Sequence, residues 1–293
     1  MYRRALGWKW LRFFGLCFKH SFRQAGKAIR KSLPRRRKPL DPRDMACGED
    51  GAMVEIEDSS ISGALTLLRG NGGSLPASSS EASHCAFDVA TVRGGLTVLN
   101  GSGCDTLTLN SLTLVGGLLA SNGEGAAYFS LGGSHVSGSV TVLRGSGGSL
   151  PASPAWASDT YMGMGEVHGF VTLINGGGED RVNMEWHTFQ SSVLISSGED
   201  GSQVRFSHAP VGGSLWVFRG NEADPSAPPL VGYVTVDLSS VAGGVTVFSG
   251  SGGDQVGLSE ADFGGPVLVN TGTGLAKVYL GTSAAGPTSQ FHT

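Results

Sequence analysis

The 293-residue sequence predicts an all-β protein: a single parallel β-solenoid (β-helix) of about nine to ten coils, preceded by a basic amphipathic helical leader. Three observations predict it. Glycine supplies 47 residues and only 15% of the chain is charged, without the G-X-Y period of collagen. Short Val/Leu/Thr runs are cut by Gly, Ser and Asn, the texture of brief strands joined by tight corners. The runs also recur at a fixed period, as stacked units do. The 40% hydrophobic content supplies a large core and excludes global disorder. No run of 18 uninterrupted apolar residues occurs.

The leader comes first in the chain. Residues 1–46 carry 14 of the 21 Lys and Arg but only two acids, Asp41 and Asp44, a net charge of +12. The remaining 247 residues carry 7 basic and 22 acidic residues, a net −15, and the two sum to the chain's −3. Phe14, Phe18, Phe22, Ala25 and Ile29 recur at helical spacing, with Arg12, Lys19, Arg23 and Arg30 on another side. Pro34 ends the pattern, and Arg35–Lys38 makes a basic tether. In order of preference, the segment reads as a targeting leader, a membrane-surface anchor, a helix capping the β-domain, or a nucleic-acid arm. No clear cleavable signal peptide is present: Arg12 interrupts the apolar run, and no small-x-small site follows. The acidic body argues against the repeats gripping a phosphate backbone.

The body, residues 47–285, is the solenoid, and residues 286–293 are read as a tail. The unit is clearest in 94–115, where Leu96, Val98, Leu107, Leu109, Leu112 and Leu114 alternate onto one face and Thr97 and Thr108 onto the other. Gly-rich corners are assigned to the φ > 0 that tight turns need. Nine units start near Ser62, Gly94, Gly116, Gly138, Gly169, Ser191, Gly212, Gly243 and Gly265. Their spacings are 32, 22, 22, 31, 22, 21, 31 and 22, so one unit in three is about ten residues longer. The larger repeat is therefore three coils of about 75 residues in all, present three times. Arg69, Arg144 and Arg219 lie 75 residues apart, and Asp105, Asp180 and Asp254 recur likewise. Insertions near Ser74–Ala86, Ser149–Tyr161 and Glu222–Pro229 leave one flank as loops.

The repeated Arg and Asp are read as structural ladders, each Asp capping its corner or pairing with an Arg on a neighbouring coil. Asp180 and Asp200 are the calcium candidates, as the one corner with carboxylates on adjacent coils. Trp156, Trp186 and Trp216 are candidates for glycan contact; Trp216 takes the outward place that Thr66, Thr97, Thr141, Thr172 and Thr246 hold elsewhere. His187 and His208 sit at similar places on adjacent coils, where they can stack, a pair read as an exposed polar ladder rather than a metal site; His84, Cys85 and Cys104 can meet near one corner. With Cys17 and Cys47, the four cysteines have no zinc spacing; export would allow a Cys85–Cys104 disulfide. No catalytic residue and no cofactor is assigned.

Two resemblances follow from these residues. Asn100-Gly101-Ser102-Gly103-Cys104-Asp105 resembles part of the calcium-binding nonapeptide of the repeats-in-toxin family, but here the Asp returns once in about 75 residues. The GG-x-T-V-x-x-G-x-G-x-D-x-L-x-L texture behind an Arg-rich leader resembles the β-solenoid repeat proteins abundant in planctomycete-type bacteria. That resemblance implies a structural protein that is exported or on the cell surface. The expected function is a non-catalytic structural or adhesion-type solenoid of the envelope or exterior, the alternative being a glycan-binding or glycan-acting β-helix. Envelope glycans, or another copy docked end to end, are the expected partners. The leader would meet a membrane surface.

Overall fold

The computed structural model describes residues 44–47, 52–69, 83–101, 105–123, 125–145, 158–198, 202–220, 232–250, 254–273, 276–281 and 290–292. The leader to residue 43, Trp156, Asp200 and Cys104 lie outside these residues, as does most of each insertion. The described residues form a parallel β-solenoid without a helix. Each coil lays one strand on each of three faces, in the order wide, narrow, back. In the third coil these strands are Asp105–Asn110, Thr113–Leu114 and Leu118–Asn122. Parallel pairing stacks the wide strands into a ten-stranded sheet and the back strands into an eleven-stranded one; the narrow strands form sheets of six and two. Nine coils run from Ala52–Glu57 to Val267–Asn270. Asp44–Cys47 adds a back strand before them, and Ala276–Leu280 and Gln290–His292 extend the wide and back sheets beyond them. The back sheet thus reaches past both expected ends of the solenoid, 47 and 285.

Alternation puts apolar side chains inside. Leu96, Val98, Leu107, Leu109, Leu112 and Leu114 are all fully buried, each contributing about 1.5–3 kcal/mol relative to exposure. Register aligns Leu67, Val98, Ala120, Val142, Leu173 and Ile195 into one interior column. Thr66, Thr97, Thr141, Thr172, Trp216 and Thr246 share one outward column of the back face, as the alternation predicts.

The corners differ from expectation. At the wide-to-narrow corner every coil has a residue at φ between 44° and 57°: Asp58, Val89, Ser111, Gly133, Met164, Trp186, His208, Leu238 and Glu260. Only one of these is glycine. The left-handed conformation is sterically costly for the others, most of all for β-branched Val89. It persists because the stack holds it. The N–H of Val89 donates to the Asn110 carbonyl at 3.1 Å, and that of Trp186 to Ser207 at 3.0 Å, continuing the ladder through the bend.

Glycines instead crowd the narrow-to-back corner, where backbones of successive coils nearly touch. A Cβ at Gly116 or Gly138 would lie 2.6 Å from backbone atoms of the coil before. They are needed for close approach rather than for a positive φ. The back-to-wide corner releases the insertions. Strands Ser83–Asp88 and Ser158–Gly163 take up residues 83–86 and 158–161, which the sequence pattern had placed in loops.

Candidate functional site

In the second and third repeats, the repeated Arg and Asp come together inside the back-to-wide corner. Arg144 and Arg219 each end a back strand, and Asp105, Asp180 and Asp254 each begin a wide strand. All five are buried. The Arg219 guanidinium pairs with the Asp254 carboxylate and donates to the Ser202 hydroxyl at 2.8 Å. It lies where Gly232 leaves room, since a Cβ there would fall within the guanidinium. Arg144 donates to the Ala127 and Asp159 carbonyls at 3.3 and 3.1 Å and to the Thr160 hydroxyl. Burial lowers its pKa to about 10, against the opposing pull of the Asp180 and Asp159 carboxylates. Asp180 accepts the Ser158 hydroxyl and faces the interior. It therefore serves Arg144 and Ser158 from within the core. Arg69 ends the equivalent strand of the first repeat, and Asp105 begins the strand two coils on. A polar column, in which Asn100 donates to Asn122 at 2.5 Å, continues the seam.

The remaining sequence candidates separate. His84 is half-buried on the wide face, and Cys85 turns inward in register with Val54 and Leu107. His187 and His208 do not stack, being one place out of step. His208 occupies the left-handed corner itself, whereas His187 follows that corner and points inward, fully buried. His208 stacks instead on Trp186, with ring centroids 3.8 Å apart and planes 13° off parallel. His187 fits beside Gly165, where a Cβ would lie 2.9 Å from its Cε1, and packs 4.8 Å from the Phe189 ring. Burial pushes its pKa down to about 4, against the smaller pull of the Gly163 backbone and the Glu166 carboxylate. Trp216 lies on the back face, 6.1 Å from Phe170. Trp186 and Trp216 therefore belong to different surfaces.

Trp186 stands at the edge of a recess that the sequence did not reveal. The recess is open, ≈ 880 Å³, and crosses the narrow face of the fourth to sixth coils. The fold places three outward residues from each coil in a grid. The fourth coil gives Gly133, His135 and Ser137; the fifth Met164, Glu166 and His168; the sixth Trp186, Thr188 and Gln190. Gly133 opens the floor, while Met164 and Trp186, 69% and 62% exposed, form the wall. The strand pairs His135–Val136 and Glu166–Val167 turn their valines fully inward, which aims His135 and Glu166 outward.

These polar groups converge. Glu166 Oε2 is 3.3 Å from His135 Nδ1, and Oε1 is 3.1 Å from His168 Nε2. The two imidazoles meet edge to face with centroids 4.7 Å apart. The Gln190 amide donates to Glu166 Oε1 at 2.6 Å. That hydrogen bond, helped by His168 and opposed by slight burial, holds the Glu166 carboxyl below its ordinary pKa. The arrangement offers an aromatic wall beside a fixed acceptor and several donors. It also offers two imidazole nitrogens and a carboxylate within 4.8 Å of one another.

A signal for the site was present in the coil alignment. The middle grid position is Ser60, Thr91, Thr113, Thr188 and Ser240 in five other coils; His135 and Glu166 interrupt that column side by side, and Pro210 and Asp262 interrupt it in the seventh and ninth coils. The chain matches no family model, no curated protein and no solved structure.

Proposed function

We propose that the protein is a non-catalytic, adhesion-type β-solenoid that acts outside the cytoplasm, in the cell envelope or beyond it, and holds a glycan in the recess of its central repeat. The observation that carries this reading is Trp186. Its indole is 62% exposed, backed in parallel by the His208 ring, and next to the Glu166–Gln190 hydrogen bond. A flat apolar surface beside fixed polar groups suits a sugar ring, which has an apolar face and a rim of hydroxyls. Glycan cleavage by the usual route needs two flanking carboxyl groups. The recess lining contributes one, Glu166, which favours holding over cutting. Export is consistent with a basic leader ahead of an acidic, Gly-rich body.

The test is a glycan array probed with the full-length protein, followed by Trp186→Ala and Trp216→Ala. Binding that falls at least tenfold with Trp186→Ala and is unchanged by Trp216→Ala supports the reading. An array with no bound glycan, or equal loss from both variants, refutes it.

A further inference from the structure

The cluster beside Trp186 has a chemistry of its own. His135 and Glu166 are register partners on adjacent coils, so strand spacing fixes their separation. Glu166 and His168 are two residues apart on one coil and leave it on the same side. A first-row metal with ligands at about 2.0–2.2 Å in a tetrahedron needs donor atoms roughly 3.4 Å apart. The carboxylate approaches each imidazole at about that distance through a different oxygen, Oε2 to His135 Nδ1 at 3.3 Å and Oε1 to His168 Nε2 at 3.1 Å. With one donor atom from each residue, all three lie within 4.8 Å of one another, on side chains that are a third to a half exposed. Gln190 supports the carboxylate from outside the trio, as second partners of metal ligands do.

We propose that His135, Glu166 and His168 form a binding site for a first-row divalent transition metal of the zinc or copper type, with the remaining coordination positions open to the recess. Two imidazoles and one carboxylate select such ions over calcium or magnesium, which take oxygen ligands. The fold itself does not require these residues. The equivalent places one repeat away are Ser60, Thr91 and Arg93, and one repeat on they are Pro210, Ser240 and Ala242, in coils of the same geometry. The site is thus confined to the central repeat. This inference goes beyond glycan adhesion and stands without it.

The internal copies also supply variants compatible with the coil. His135→Ser and Glu166→Thr insert what Ser60 and Thr91 carry, and His168→Ala what Ala242 carries. The full-length protein, stripped with a chelator, is titrated with Zn²⁺ alone by calorimetry. The wild type should bind one more equivalent of zinc than His135→Ser, or bind it at least tenfold more tightly, with Glu166→Thr and His168→Ala behaving like His135→Ser. Bound Cu²⁺ should show two imidazole nitrogens by electron paramagnetic resonance in the wild type and one in His135→Ser. Unchanged far-UV circular dichroism verifies each fold. If one variant misfolds, the other two decide. Equal zinc stoichiometry and affinity in the wild type and the folded variants, or a copper spectrum indifferent to His135, overturns the proposal.

Discussion

Arg219 offers the sharpest test of how the coils are held together. Its guanidinium and the Asp254 carboxylate are each only 5% exposed and are in contact. Removing one partner of such a pair leaves a buried charge and costs about 3–5 kcal/mol. Arg219→Ser restores the residue type at Ser197 and Ser249, the flanking places in the same column, so backbone disruption is not the cause of any loss. Gly232→Ala should do similar damage by a different route. The new Cβ takes the volume the guanidinium fills, so Arg219 must leave Asp254 and Ser202. Each change alone should cost about 3 kcal/mol or more. Combined, they should cost no more than Arg219→Ser alone, because the methyl then enters vacated space. The assay is urea unfolding followed by far-UV circular dichroism. Amide exchange over Gly232–Asp237 and Asp254–Ser259 accompanies it, because stacked repeats need not unfold in one step. Additive losses would show that the guanidinium does not depend on the space left by Gly232, and the reasoning would fall.

Three further outcomes follow from the same geometry. His187 has a folded pKa of about 4 against 6.5 for a free imidazole, so as acid is added the unfolded chain takes the proton first. Its contribution is complete above about pH 6.5, declines down to about pH 4 and amounts to about 3 kcal/mol; His187→Leu, the residue at the equivalent Leu112, should flatten that part of the stability–pH curve. Val89, at φ 48° and 57% exposed, is strained without compensating burial, so Val89→Asn should raise stability by about 1 kcal/mol in urea unfolding. Gly116→Ala forces a Cβ to 2.6 Å from the Gly94 backbone and should cost on the order of 1–3 kcal/mol, whereas Gly63→Ala, with nothing within 4 Å, should change the midpoint little.

The sequence made the coils legible because burial dictates alternation. Leu96 and Val98, or Leu107 and Leu109, face inward for the reason their spacing suggests: any other register would put them in water. The triplication was legible because an Arg recurring among so few basic residues is conspicuous. Its interior placement was not, since an arginine in a sequence reads as surface until its Asp and its glycine are placed beside it. The corners were misread because residue preference is a weak guide where tertiary hydrogen bonds decide. A ladder that runs through the bend holds Val89, Met164, Trp186 and Leu238 in a conformation their own sterics disfavour. His187 and His208, expected at similar places on adjacent coils, fall one residue out of step for the same reason: the corner's left-handed residue sends its side chain outward and the next one inward.

The recess was hidden because histidine, glutamate and glutamine on a strand surface resemble any solvated row. Only the internal repeats separate them from it. Three copies of one scaffold share the glycine-packed corner, the second and third share the buried arginine of the back-to-wide corner, and all diverge on the narrow face. Packing cannot explain that divergence. Val136 and Val167 bury the inward side as Val92 and Leu114 do, whether the outward neighbour is Thr91, Thr113, His135 or Glu166. What the outward positions carry is therefore free of the fold's demands. Where that freedom is used to aim two imidazoles, a carboxylate and an amide at one another beside an exposed indole, the arrangement belongs to what the surface meets rather than to what holds the coil together.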